Sequence, residues 1–325
     1  MFKKKHYLNC ISITIGLFFL LCIYISAALA GDYPTKEIEL IVPYSPGGGT
    51  DLMSRIVASK ASEYLKVPVI IVNKPGAGGI IGTEYVSKSH DGYRVCPAGA
   101  SNLGTVLATN PKISYSLKDF TALNRCRKLP LVLVVKKDRY VSFDDIIKEA
   151  EKRPITFGSW GTYSSAHLIG ELIAMVTGIK MNHVPFKGGA NAIVAAMGGH
   201  IDIAISTPMG CLPNINAGKL TAIAITTDYR IDSMPNVPTL KELGFQDATF
   251  ESYEGFATSS KVPIERLNVL RSAFDKSVQD IGIQKALKKG GFMYGYMPGP
   301  EYDAYLQTNL EKLKKIAIHC GYIVE

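Results

Sequence analysis

Glycine and hydroxyl residues gather in this sequence at two places that read alike. Residues 38–51 run IELIVPYSPGGGTD and residues 155–168 run ITFGSWGTYSSAHL: an apolar strand, a glycine loop and a helix start. Each is followed by a second strand and a second glycine loop, NKPGAGG at 73–79 and PFKGGAN at 185–191. Gly47 and Gly76 lie 29 positions apart, and Gly158 and Gly188 lie 30 apart. The spacing reads as one βαβα unit built twice. Two such units face to face would line a cleft with backbone N–H groups and helix N-termini, which suits an anion.

The first loop, Tyr44, Ser45, Pro46, Gly47, Gly48, Gly49, Thr50 and Asp51, carries the strongest signal. Consecutive glycines let a backbone approach a ligand without Cβ clashes. The helix that follows brings unpaired N–H groups and a partial positive end. Asp51 reads as a first-turn partner of that helix, because a carboxylate would repel an anion. In the second loop Ser159, Thr162, Ser164 and Ser165 supply hydroxyl donors. Trp160, the one tryptophan of the chain, either walls an apolar part of a ligand or packs against the opposite unit.

Other chemistries fail on spacing. A dinucleotide fingerprint begun at Gly76 requires glycine at position 81, which is Ile81. There is no G-x-S-x-G elbow for a hydrolase, and His167 near Ser164 on one helix is no nucleophile–base pair. No HExxH or P-loop motif is present, so neither a metal nor a cofactor is expected.

The elements around these loops alternate. Apolar, β-rich runs occur at 37–43, 67–72, 93–98, 129–136, 155–158, 181–185, 201–206 and 220–227. Helical stripes follow Thr50 and Ser164. Ser142 with Asp145 gives a capping box, Pro263 opens a helix through about Gln279, and another runs from Glu301 to His319. This alternation predicts an α/β fold with parallel-rich sheets. Two lobes are expected, residues 31–130 with 253–325 and residues 131–252, joined by crossovers that form a hinge around a cleft. The last segment contributes a strand and three helices to the first lobe.

The first 30 residues have a basic start at Lys3, Lys4 and Lys5, an apolar run from Cys10 to Ile25, and a small-residue cleavage site ending at Ala30. That is a cleavable secretory signal; an uncleaved anchor is the rival reading. Removing it lowers the formal charge from +8 to +5. The remaining basic residues are dispersed, which argues against nucleic acid. Cys96, Cys126, Cys211 and Cys320 remain, and an exported chain permits disulfides without the sequence choosing a pairing.

With these blocks in view, the chain resembles the extracytoplasmic solute-binding receptors of tripartite tricarboxylate transporters. The resemblance rests on YPTKEIELIVPYSPGGGTD, VIIVNKPGAGGIIGTEYV, HDGYRV, ITFGSWGTYSSAHLIGE, NHVPFKGG, GGHIDIAIS, INAGKLTAIAIT and MPNVPTLKELG, in order over roughly residues 33–322. It implies a periplasmic binding-protein (Venus flytrap) fold, capture of a small organic carboxylate, and delivery to membrane permease subunits by a monomer. By position, it implies first-lobe contacts from Tyr44–Asp51, from Gly76, Ala77, Gly78 and Gly79, and from Ala98–Asn102, with Ala100 and Ser101 central. Second-lobe contacts would come from Ser159–Ser165, from Pro185, Lys187 and Gly188, and from Ser206 and Thr207 on to Pro208. Trp160 and Tyr163 make the second loop bulkier than the family's usual run. Alternative roles are a periplasmic sensor that addresses a membrane partner and, more remotely, a secreted enzyme.

Overall fold

The computed structural model describes residues 33–186 and 188–322. The proposed signal segment and Lys187 lie outside the described residues. The strands are β1 (Ile38–Val42), β2 (Val69–Asn73), β3 (Arg94–Gly99), β4 (Phe120–Pro130), β5 (Val132–Lys136), β6 (Ile155–Ser159), β7 (Met181–Pro185), β8 (Ile203–Ser206), β9 (Leu220–Ile225), β10 (Glu251–Ser259) and β11 (Met293–Pro298). The helices are α1 (Gly49–Leu65), α2 (Ile80–Ser87), α3 (Val106–Thr109), α4 (Phe143–Ala150), α5 (Ser165–Thr177), α6 (Gly189–Gly198), α7 (Pro208–Asn216), α8 (Ile264–Gln279), α9 (Ile281–Lys289) and α10 (Gly299–His319).

Two sheets organise these elements. One has six strands in the order β11-β4-β10-β3-β1-β2, the other five in the order β7-β6-β8-β5-β9. In the first sheet β1 pairs in parallel with β2 and β3; in the second β6 pairs in parallel with β7 and β8. The repeat seen in the sequence is therefore a repeat of topology. The strands β1, β3, β6 and β8 are wholly or almost wholly buried, as expected of strands covered on both faces. The sheets are mixed rather than purely parallel, because β4, β10, β11 and β5 run antiparallel to their neighbours.

The antiparallel strands carry the chain between lobes. It leaves the six-stranded sheet along β4, passes Leu131 and enters the other sheet as β5; it returns through Phe250 into β10. One residue ties both passages. The buried Thr226 hydroxyl accepts from the Leu131 N–H at 3.1 Å and donates to the Phe250 carbonyl at 2.7 Å. Its backbone also bonds Leu131 and Phe250. The sequence placed crossovers near 130 and 252, but read only the end of β4 as strand and passed over β11.

Local signals account for most helix boundaries. Ser142 forms the expected capping box with Asp145 on α4. Ser164 caps α5 and Thr207 caps α7 with their hydroxyls. After β10, the three remaining helices and β11 complete the first lobe. The segment just past α10 also reaches the second lobe, where the Tyr322 hydroxyl meets His167 Nε2 at 2.9 Å. All four cysteines beyond the signal segment are free thiols. Among the described residues no cluster of His, Cys, Asp and Glu could hold a metal, and no helix is long and apolar enough to cross a membrane.

Candidate ligand cleft

A cavity of about 940 Å³ lies between the lobes at the carboxyl ends of the parallel strands. Connections from strand to helix make most of its wall, the usual place for a ligand in open α/β sheets. The first lobe contributes Tyr44–Thr50, Gly76, Gly78 and Gly79, and Gly99–Asn102. The second contributes Trp160–Ser165, Gly188–Ala190 and Ser206–Gly210. The lobes also touch across the cleft, where the Thr105 hydroxyl donates to the Tyr163 carbonyl at 2.6 Å.

Most candidate residues are brought together here: Tyr44, Ser45, Pro46, Gly47, Gly48, Gly49, Thr50, Gly76, Gly78, Ala100, Ser101, Trp160, Thr162, Tyr163, Ser164, Ser165, Gly188, Ser206 and Thr207. Four are not in the wall. Asp51 turns back into its own lobe, where its carboxylate accepts from the Gly47 N–H at 2.9 Å, from Arg55 and from Asn73. Burial opposes its ionisation, but the hydrogen bonds from Arg55, Gly47 and Asn73 outweigh it and hold the carboxyl below 3.8. Ser159 is fully buried and points behind its loop, to the Gly161 carbonyl at 2.9 Å and His183 Nε2 at 2.7 Å. Ala77 and Pro185 stand at the loop edges without reaching the wall.

The two loops are braced differently. In the first lobe Asn73 Nδ2 bridges the Tyr44 carbonyl at 3.0 Å and Asp51 at 2.9 Å, folding the glycine run onto α1. Gly79 has φ +101, a conformation that favours glycine, and a Cβ there would crowd the Tyr44 ring at 3.2 Å. In the second lobe the brace is a pair of stacked imidazoles, His167 and His183, with centroids 3.7 Å apart. His167 Nδ1 accepts from the Tyr163 N–H at 3.0 Å. Burial, and next the electrostatic influence of the neighbouring His167, pull His183 down to about 4.

Several wall residues were not legible as candidates. Arg127 and Lys128 of β4, Glu254 of β10, Met209 of α7, and Phe292 and Met293 before and at the start of β11 all line the cavity. Met209 directly follows the Ser206–Pro208 candidate stretch, whereas the others come from the crossover strands and the returning segment, away from the candidate loops. Lys128 is paired with Glu251 at 3.4 Å. Trp160 is half-buried, lines the cavity and packs against the hydrophobic core.

Two α/β lobes around a cleft ringed by helix N-termini form an architecture suited to holding an anionic solute. The family model described as the tripartite tricarboxylate transporter family receptor matches residues 53–321. Protein BugT of Bordetella pertussis is 36% identical over 239 residues, 72% of this chain and 73% of that protein. A TctC solute-binding protein from Polaromonas, solved with no ligand, superposes with a TM-score of 0.72 at 32% identity, covering 87% of this chain and 98% of that one. A protein of R. palustris solved with adipate superposes at 0.78 with 26% identity, covering 88% and 98%. The chain belongs to the tripartite tricarboxylate transporter receptors.

Proposed function

We propose that this receptor captures a small organic carboxylate in the cleft and hands it to the membrane permease subunits of a tripartite tricarboxylate transporter. The observation that carries this reading is the convergence of α1, α5, α6 and α7 N-termini on one cavity. Unpaired N–H groups and the positive ends of helix dipoles suit a carboxylate without a dedicated arginine in the loops. The adipate-bound relative supports the same class of ligand.

In this proposal the contacts come from the wall residues of both lobes, with the division near Leu131 and near 252. The protein works in the periplasm as a monomer after cleavage following Ala30. Its task is binding, with no turnover and no cofactor. The lobes close about the Thr226-tied crossovers, and the ligand favours closure only through contacts it makes in the closed form alone.

Trp160 supplies the test. Titrating the mature protein with a panel of small carboxylates, with NAD as control, should give a saturable change in tryptophan fluorescence for an acid and none for NAD. If every acid is silent and none raises the melting temperature of ligand-stripped protein, the carboxylate reading is overturned.

A further inference from the structure

The floor of the cleft holds an ion pair that anion capture by the loops leaves unused. Arg127 and Glu254 are cross-strand partners on β4 and β10 and both line the cavity. They are only 4% and 7% exposed. Arg127 donates from Nε at 2.9 Å and from Nη2 to Glu254 Oε2. The other carboxylate oxygen, Oε1, accepts from the Thr50 hydroxyl at 2.6 Å in the first turn of α1. The guanidinium lies over the Phe292 ring, 4.5 Å from its centroid.

This arrangement changes what the first lobe offers. A buried arginine would normally be the natural partner of a second ligand carboxylate. Here its charge is already compensated. The start of α1 is also faced by two of the chain's own carboxylates, Glu254 through Thr50 and Asp51 through the Gly47 N–H. The second lobe differs: α5, α6 and α7 have no acidic residue in their first turns. A ligand carboxylate is therefore best placed against the second lobe. Its far end then meets Glu254, an acceptor, with Arg127 beside it. A second carboxylate at that end would find no free cation, because Arg127 is already held by Glu254, whereas a donor would find the Glu254 carboxylate. Burying such a pair is costly by desolvation, and a specificity role would account for its being kept.

We propose that Arg127 and Glu254 set the ligand class: a small monocarboxylate whose other end bears a hydrogen-bond donor, an ammonium or an amide, in place of a second carboxylate. The inference rests on the carboxylate-receptor reading and narrows it. Glu254 accepts from the donor end, and Arg127 holds the Glu254 carboxylate in place.

Calorimetry on the ligand-stripped mature protein tests this with dicarboxylates of four to six carbons, each beside its half-amide and its ω-amino counterpart. At the length that binds best, a donor-bearing acid should bind at least about tenfold tighter than the dicarboxylate. Glu254→Gln should erase or invert that ratio, because Arg127 then stands uncompensated. Because the single variant leaves a buried charge unpaired, the double variant Arg127→Met with Glu254→Gln, which removes both charges, serves as its control and should bring the ratio near one. Tighter binding of the dicarboxylate by the wild type, or an unchanged ratio in the variants, overturns the inference while leaving the carboxylate receptor standing. Silence of every acid in both sets removes the receptor reading itself, and the inference falls with it.

Discussion

The two lobes present the same βαβα unit to the cleft with opposite electrostatic preparation. In the second lobe, Ser164 and Thr207 cap α5 and α7, and α6 opens on bare glycines. In the first lobe, α1 opens on Gly48 with no side-chain cap, yet Asp51 and Glu254 stand against it. A repeated fold thus does not repeat the charges set around its helix ends. Where the helix end is faced by neutral dipoles it is ready for an anion; where the chain supplies its own carboxylates that readiness is already spent.

The largest expected effect breaks or upholds this asymmetry directly. Ala190 lies in the cavity wall in the first turn of α6. Ala190→Asp should weaken carboxylate binding by about 100-fold or more, since a like charge set beside an anion costs several kcal/mol. Ser45→Asp, in the first-lobe loop, should cost no more than about tenfold, since the anion sits farther away. Titration calorimetry on both variants decides. Equal losses would mean that the two loops share the anion.

Acid should separate the lobes next. His183 is held at about 4, below its ordinary 6.5, by burial and by the neighbouring His167. The folded state prefers the neutral ring, so the stability it carries is complete above 6.5 and is lost as pH falls from there towards about 4. Asp51 is held below 3.8, and its contribution is complete above that value and lost only at stronger acidity. Between these windows the second-lobe loop should loosen first, because His183 bonds Ser159 beneath it. Hydrogen exchange at pH 7 and pH 5 should show faster opening of β6 and β7 with β1 and β2 unchanged. His183→Gln should flatten that dependence; earlier opening of β1 and β2 would contradict the assignment.

The parts of this site that were legible in the sequence are those made by neighbours along the chain. Glycine loops, the cap Ser142, and the apolar strands β1, β6 and β8 announce themselves within a dozen residues, whereas Ser164, read as a ligand donor, caps α5. The strand β4 did not, because FTALNRCRKLP reads as polar. Its Asn124, Arg125 and Arg127 are buried only because β10 and β11 flank it on both sides. The strand β11, MYGYMP, contains Gly295 and breaks register between Tyr294 and Met297, which hides a short edge strand. Arg127 and Glu254 are 127 positions apart, so their pairing exists only once both crossovers lie side by side. Asp51 was legible as a helix partner through its local bonds to Gly47 and Arg55, but its bond from Asn73, 22 positions on, was not.

The smallest expected effects concern the caps themselves. The Ser164 hydroxyl accepts from the His167 N–H at 3.2 Å and donates to the Gly161 carbonyl at 2.7 Å. Ser164→Ala removes both and should cost about 1 kcal/mol of stability, the usual value of an N-cap. The equivalent first-lobe position is Gly48, whose φ of −76° and ψ of 165° already have the extended geometry of a capping residue. A Cβ there would meet only the Ser45 carbonyl oxygen, at an ordinary 3.6 Å. Gly48→Ser should therefore gain a few tenths of a kcal/mol, the difference between glycine and serine at an N-cap. Denaturant midpoints measure both. If Gly48→Ser destabilises, the α1 start is strained by its own carboxylates rather than merely neutralised, and the first lobe would then release that strain when a donor-bearing ligand draws Glu254 away from Thr50.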